Sequence, residues 1–314
     1  MTATREFLKI TAWKDAVLEP ITGDASARRY FRLRKDGRTA ILMDASRIRE
    51  IVAPFLQINE HLRQIGLSTP EVVAEDVENG FLLLEDFGDE TFARLLENQS
   101  DPEKLFTLAT DVLIALHRHP QAVPKGLRVY HPEKMLGDVE LFLECNPVSE
   151  KGRAEFKIVW HEVLTLAHRI PSSLLLRDYQ VANLMLLPGR EGIRQAGLLD
   201  FQDAYQGPVT YDLISLLEDA RRDLPPGLKE KMLARYLVHF SNPNYVRTFE
   251  MSLAILAALR HTRVLAVFEK LSREGKPDYK KLHSPRVRRL LQDALRHPML
   301  TGVKQWFDRY APQD

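Results

Sequence analysis

Only one cysteine, Cys145, occurs in this chain, so no internal disulfide can form, which fits a reducing compartment. Charge of one sign is equally scarce: 44 basic against 43 acidic side chains leave a formal net charge of +1. That balance offers no electrostatic footprint for nucleic acid or an anionic membrane, and neither is expected as a partner. The opening Met1-Thr2-Ala3-Thr4-Arg5-Glu6-Phe7 has no long apolar stretch, so no secretory leader is expected. No apolar run is expected to span a bilayer, and the default location is cytoplasmic. Internal repeats and low-complexity tracts are also missing. What remains is ample for a large core: 314 residues, 45% hydrophobic and 28% charged, enough for one two-lobed unit or two domains. Cys145 ends the apolar-periodic stretch 135–145 and reads as structural rather than catalytic.

The first third of the chain reads as mostly strand. Residues 5–18 suggest a short helix burying Phe7, Leu8, Trp13, Val17 and Leu18. Residues 17–23 and 30–34 flank Asp24-Ala25-Ser26-Ala27-Arg28-Arg29 as a hairpin, and 39–44 follow as a third strand. Ile51, Phe55, Ile58, Leu62 and Ile65 then recur at spacings of four, three, four and three, one apolar helix face stopped by Gly66. Residues 72–74 and 81–85 read as two more strands.

Beyond Asp101 helical patterns dominate. Asp101-Pro102-Glu103 opens one helix, with Leu105, Leu108, Val112, Ala115 and Leu116 on its apolar face. Phe156, Val159, Val163 and Leu166 mark another, ended by Pro171. After Asp212, residues 213–222, 228–240, 246–273 and 285–310 are all helical in pattern. Within 246–273, His261 and Arg263 sit among Ala and Leu, as inward polar groups of a buried helix or as a substrate wall.

The stretch with chemical content is Leu176-Arg177-Asp178-Tyr179-Gln180-Val181-Ala182-Asn183. Leu184-Met185-Leu186-Leu187 reads as a strand, Pro188-Gly189-Arg190-Glu191-Gly192 as a turn, and 196–199 as a return strand ending at Asp200. An Asp, an Asn five residues on, and a second Asp closing a hairpin form the polar skeleton of a phosphotransfer site. In that skeleton Asp178 accepts the proton of an attacking hydroxyl, and Asn183 and Asp200 hold magnesium against nucleotide phosphates. Magnesium takes hard oxygen donors and keeps several waters, so one carboxylate and one amide suffice from the protein. The plain alternative is a hairpin with polar ends and no chemistry.

These motifs, with Leu199-Asp200-Phe201-Gln202-Asp203-Ala204 and Tyr211-Asp212-Leu213-Ile214-Ser215, resemble the aminoglycoside phosphotransferase and choline kinase family. Asp-Phe-Gln-Asp-Ala followed by Glu218-Asp219-Ala220-Arg221-Arg222-Asp223 is most similar to its bacterial branch of anomeric amino-sugar kinases, which act on N-acetylmuramate and N-acetylglucosamine. The match is specific over residues 176–223 and looser over 23–32 and 80–88. The resemblance implies an α+β, protein-kinase-like two-lobed fold. A small antiparallel β lobe (1–87) with one internal helix would bind the nucleotide, and a larger, mostly helical lobe (88–314) would carry the catalytic loop and acceptor site. It implies ATP and magnesium, and a small-molecule hydroxyl as acceptor.

The same resemblance assigns roles. Ser26, Arg28 and Arg29 would lie in the hairpin over the nucleotide. The linker Glu85-Asp86-Phe87-Gly88 would present main-chain groups of Glu85 and Phe87 to the adenine edge. Asp212 would brace the catalytic loop by accepting backbone N–H bonds. Asp203 would face the acceptor or be a solvated turn residue. Arg221 would meet an acceptor carboxylate or be a solvated helix-end charge. Three positions depart from the family pattern: Leu176 replaces a scaffold histidine, Gln180 stands where histidine is common, and Met43 occupies the place of the strand-3 lysine. Arg28, Arg29 and Arg32 are the nearest cations to replace that lysine. Alternatives are a kinase of aminoglycosides or other small molecules, or a catalytically impaired nucleotide-binding pseudokinase.

Overall fold

In this computed structural model, residues 2–21, 27–240 and 243–311 are described. Residues 22–26, including Ser26 and the first part of the expected hairpin turn at 24–29, lie outside them. The first helix, α1 (Thr2–Lys9), ends well short of residue 18. Phe7 and Leu8 bury their side chains, together with Trp13, against Leu33, Ala40, Leu42, Phe81 and Leu83. Val17 and Leu18 belong instead to β1 (Val17–Ile21), whose residues pair antiparallel with β2 (Arg29–Lys35) from Val17↔Arg34 to Ile21↔Tyr30. Val17 is therefore exposed rather than buried. β3 (Arg38–Asp44), β4 (Val72–Asp76) and β5 (Phe81–Glu85) complete a five-stranded antiparallel sheet in the order β1-β2-β3-β5-β4. Pro20 is tolerated because β1 is an edge strand. The expected internal helix is α2 (Val52–Gln64), burying Val52, Phe55, Ile58 and Leu62 at helical spacing.

α3 (Phe92–Glu97) follows, capped by Thr91 Oγ1 accepting from Arg94 N at 3.1 Å. α4 (Pro102–Arg118), α5 (Pro132–Cys145) and α6 (Glu150–Ala167) come next. β6 (Ser172–Leu175) leads into the candidate loop, β7 (Leu184–Leu186) and β8 (Ala196–Leu198) form the expected hairpin, and β9 (Tyr205–Pro208) returns to pair with β6. The β6–β9 pair carried no clear period in the sequence.

The final third is helical: α7 (Thr210–Leu217), α8 (Leu228–Leu237), α9 (Pro243–Arg273), α10 (Pro277–Ala294) and α11 (Thr301–Tyr310). α7 stops five residues before the expected end. There Glu218 turns its carboxylate to His261 and Lys229, and Asp219 Oδ1 accepts from Arg221 N at 2.8 Å. The expected helix 285–310 is two helices. α10 begins at Pro277, a residue suited to a first helical turn, and Pro298 opens a 3-10 turn that separates it from α11.

The chain forms two compact units: Met1–Asp101 with Val181–Asp203, and Pro102–Gln180 with Ala204–Asp314. The sequence places the division after Phe87, but backbone bonds carry the β7–β8 hairpin into the β unit. Leu198 N donates to Ser68 O at 2.7 Å, and Leu186 N to Glu90 O at 2.8 Å. The Phe87 ring also lies on Gly197, where an added Cβ would fall 2.8 Å from it.

In the helical unit, α9 runs through a core that includes Trp160, Phe156, Trp306 and Phe307. Residues 245–273 are long and apolar enough to cross a membrane by length and composition, which corrects the expectation that no such run exists. Of the apolar window in that segment, 61% is buried inside the protein, so its hydropathy is spent on the core. Cys145 donates a long bond to Ala266 O at 3.5 Å, and burial raises its thiol pKa, as suits a structural cysteine.

Candidate active site

In the helical unit, β6 delivers the chain into Leu176-Arg177-Asp178-Tyr179-Gln180. Arg177 takes φ +67°, a left-handed conformation that disfavours a residue with a side chain. Its surroundings hold it there. Asp212, fully buried in α7, accepts from Leu176 N (2.7 Å) and Arg177 N (2.9 Å). Ser215, one turn on, donates Oγ to Arg177 O at 3.1 Å. The Arg177 guanidinium reaches Asp138 Oδ2 at 2.7 Å and lies over the rings of Tyr130 and Tyr205, 4.9 and 5.2 Å from their centroids. Tyr179 is buried on the other side of Asp178, its hydroxyl donating to Ala109 O of α4 at 2.8 Å. The residues flanking Asp178 are thus tied to α4, α5 and α7.

Burial sets the electrostatics of these supports. It pushes the Asp212 carboxyl up to about 7, although both oxygens accept N–H bonds that pull the other way. Burial also opposes the charge on Asp138, but Arg177, Lys134 and the Tyr130 hydroxyl outweigh it and hold that carboxyl below its ordinary value. Gln180, the histidine replacement, accepts from Arg221 Nη1 at 3.0 Å. Arg221 itself is exposed and lies 6.0 Å from the Tyr279 ring centroid.

In the β unit, Asn183 ends a 3-10 turn, Val181–Asn183, immediately before β7. Leu199 N donates to Asn183 O at 3.0 Å, so Asn183 and Asp200 mark the same open end of the hairpin. Asp200 takes φ +60°, the second left-handed residue in this stretch. Phe201 is pinned against Phe55 of α2, ring centroids 5.0 Å apart, which anchors that bend. Asp200 Oδ1 accepts from Gln202 Nε2 at 2.9 Å and from Arg28 Nη2 at 2.5 Å. Asp203 is exposed, and its charge acts on Arg28.

The three candidate arginines separate here. Arg28 turns to Asp200. Arg29 Nη2 bonds the buried Asp44 Oδ2 at 2.5 Å. Arg32 bonds Asp86 (3.0 Å), Asp89 (2.8 Å) and Gly88 O (3.0 Å) of the linker. Met43, paired with Tyr30 and Leu82 in the sheet, is completely buried and contributes no charge. The Glu85 carboxylate holds Arg190 at 2.6 Å, and Arg190 covers the Phe87 ring at 5.0 Å.

Among the described residues no group of three or more His, Cys, Asp or Glu side chains is placed to hold a metal ion. A divalent cation would rest on one carboxylate, Asp200, and one amide oxygen, Asn183. Such hard donors suit magnesium completed by phosphate oxygens and water.

Asp138, Arg177 and Ser215 received no role from the sequence. Asp138 left one legible trace: it is an acid on the apolar face of α5, between Met135, Val139 and Phe142. Arg177 stood next to the candidate base, but its left-handed backbone has no glycine to announce it.

The profile of the phosphotransferase enzyme family matches residues 17–249. The chain is 32% identical to an N-acetylmuramate/N-acetylglucosamine kinase of Caulobacter vibrioides, covering 99% of this chain and 96% of the relative. A protein of the same name from Pseudomonas aeruginosa is 33% identical, over 92% and 87% of the two chains. Among solved structures, a choline/ethanolamine kinase family protein from Mesorhizobium loti superposes with a TM-score of 0.65 at 15% identity, covering 97% of this chain and 98% of that one. The ADP-bound aminoglycoside phosphotransferase APH(2'')-Ib gives 0.63 at 15%, covering 95% and 98%. The fold is therefore the α+β, protein-kinase-like one, and the chain belongs to the phosphotransferase enzyme family.

Proposed function

We propose that this protein is an ATP- and magnesium-dependent kinase of the anomeric hydroxyl of an N-acetyl amino sugar, N-acetylmuramate or N-acetylglucosamine. The observation that carries it is the bracing of the base loop. Asp212 accepts the two amides that precede Asp178, and Tyr179 is tied down behind it. A carboxylate on a fixed backbone suits a general base, which must meet its proton at hydrogen-bond distance. The acceptor follows the names of the relatives that align over nearly the whole chain.

Asp178 takes the proton from the sugar hydroxyl as that oxygen attacks. Asn183 and Asp200 would supply the protein's oxygen donors to a bound magnesium ion. Bound there, the magnesium–ATP complex would furnish the phosphoryl group and neutralise its developing charge. Arg28, released from Asp200, is the cation best placed to take over the missing lysine's work, because Arg29 and Arg32 are committed to Asp44 and to the linker. A cytoplasmic, ATP-supplied compartment is implied.

A second assignment, a nucleotide-binding module without turnover, draws on the buried Met43. An acceptor screen by ADP release separates the two, using N-acetylmuramate, N-acetylglucosamine, choline, homoserine and kanamycin. Turnover with the two sugars is expected. Turnover with choline or kanamycin alone would reassign the acceptor, and nucleotide binding with no turnover on any of the five would favour the silent module.

A further inference from the structure

Cations gather beside the base loop. In the helical unit three of them surround the buried carboxylate of Asp138. Its Oδ2 accepts from Tyr130 Oη (2.6 Å) and Arg177 Nη2 (2.7 Å), and its Oδ1 accepts from Lys134 Nζ. The third cation, Arg263 of α9, stands with Nε 3.9 Å from Oδ2, beyond hydrogen-bond distance. Arg263 Nε is buried without a hydrogen-bond partner, while the side chain keeps 29% exposure, so the far end of the guanidinium still meets solvent.

The carboxylates that bear on Arg263 are Asp138 and Asp178. Burial and Arg177 oppose its charge, yet with Tyr211 these two acids hold it firmly protonated. Arg263 therefore lies in the electrostatic neighbourhood of the candidate base, with Nε left without a hydrogen-bond partner and the guanidinium partly open to solvent, where an incoming anion can reach it.

We propose that Arg263 is the anchor for a carboxylate carried by the acceptor, and that it sets the preference for N-acetylmuramate over the neutral N-acetylglucosamine. This rests on the sugar-kinase assignment above. Guanidinium and carboxylate are matched for two parallel hydrogen bonds, and partial burial strengthens them relative to open water. The anchor is also preorganised. On the same turn of α9, Arg260 Nε donates to Ser215 Oγ at 3.0 Å and His261 Nε2 meets Glu218 Oε2 at 2.5 Å, which fixes the rotation of the helix. Arg221, the cation singled out from the sequence for this task, is exposed and already bonded to Gln180.

The test compares kcat/KM for N-acetylmuramate and N-acetylglucosamine in the wild-type protein, Arg263→Gln, Arg263→Lys and Arg221→Ala. Arg263→Gln should lower kcat/KM for N-acetylmuramate about ten- to a hundredfold more than for N-acetylglucosamine, mainly through KM, as loss of charge-assisted hydrogen bonds implies. Arg263→Lys, which keeps the charge but not the fork, should recover part of the difference. The neutral sugar serves as the internal control for folding. Equal losses on both sugars would overturn the proposal, because they would place Arg263 on the transferring phosphoryl or in the scaffold. So would a selective loss in Arg221→Ala with none in Arg263→Gln. A wild-type protein that phosphorylates neither sugar would remove the sugar-kinase assignment and this inference together. Turnover of both sugars with a non-selective Arg263→Gln would remove the inference alone.

Discussion

Arg28 Nη2 donates to Asp200 Oδ1 at 2.5 Å, so a guanidinium rests on the carboxylate proposed to bind magnesium. The pairing links two residues 172 positions apart. It also distinguishes Arg28 from its neighbour Arg29, which faces Asp44 instead. Arg28→Ala should weaken ATP binding by about 1.5–3 kcal/mol, the cost of a charged hydrogen bond, and leave AMP and adenosine nearly unchanged. Arg29→Ala should instead lower stability modestly, because it takes the guanidinium from Oδ2 of the buried Asp44 and leaves that carboxylate the two Ser46 hydrogen bonds on Oδ1. Calorimetric titration of ATP, AMP and adenosine into both variants checks this. Equal binding of ATP by Arg28→Ala and wild type would refute it.

Asp178→Asn preserves the shape of the loop and removes the proton acceptor. ATP binding should persist while kcat falls about 10²–10⁴-fold, the usual share of general base catalysis. Steady-state kinetics with a separate nucleotide titration read both quantities. A variant within a few-fold of wild type would mean that the proton leaves by another route.

Asp212→Ala should act on the loop rather than on either ligand. It leaves Leu176 N and Arg177 N buried without acceptors, at about 1–3 kcal/mol for each unsatisfied group. Thermal stability and kcat should fall together, with the KM for ATP little changed. Asp138→Asn, which takes the charge partner from the buried Arg177 guanidinium, should lower stability as well as kcat. Full activity in both variants would show that the bracing is dispensable.

Glu218 predicts a pH dependence of stability. Its burial disfavours the charge, but the His261 hydrogen bond and the charges of His261 and Lys229 outweigh this and hold its carboxyl at about 2, against an ordinary 4.5. The unfolded chain therefore takes up that proton first as pH falls. The stabilisation is complete above about pH 4.5 and is lost as pH falls toward 2. Glu218→Gln should melt below wild type at pH 7, and the gap should close in acid. Melting curves from pH 7 to pH 3 measure it, and a gap that stays constant with pH would contradict the assignment.

Local pattern made much of the fold legible. The short apolar runs in 39–44 and 81–85, the helical face from Ile51 to Ile65, and the strand–turn–strand pattern after Asn183 each depend on neighbours a few residues away. The places that misled show the limit. Val17 and Leu18 fit a helix face until the backbone of β2 offered them strand pairing. The helix expected over 285–310 divided at Pro298, and β6 and β9 were too short to show a period.

The sequence by itself determined the family and offered the residues proposed for its chemistry. Asp178, Asn183 and Asp200 are of the types a phosphotransfer site uses, and their spacing around one hairpin is a local property of the chain. Only the tertiary structure decided which partner each charged group would take. Arg28 rather than Arg29 or Arg32 meets Asp200, Arg177 is held by Asp138, and Arg263 stops 3.9 Å short of the same carboxylate with its Nε unbonded. These pairings join residues 172, 39 and 125 positions apart in the order Arg28–Asp200, Arg177–Asp138 and Arg263–Asp138. No local period encodes them, because they are fixed by how helices and strands pack once their apolar faces are buried.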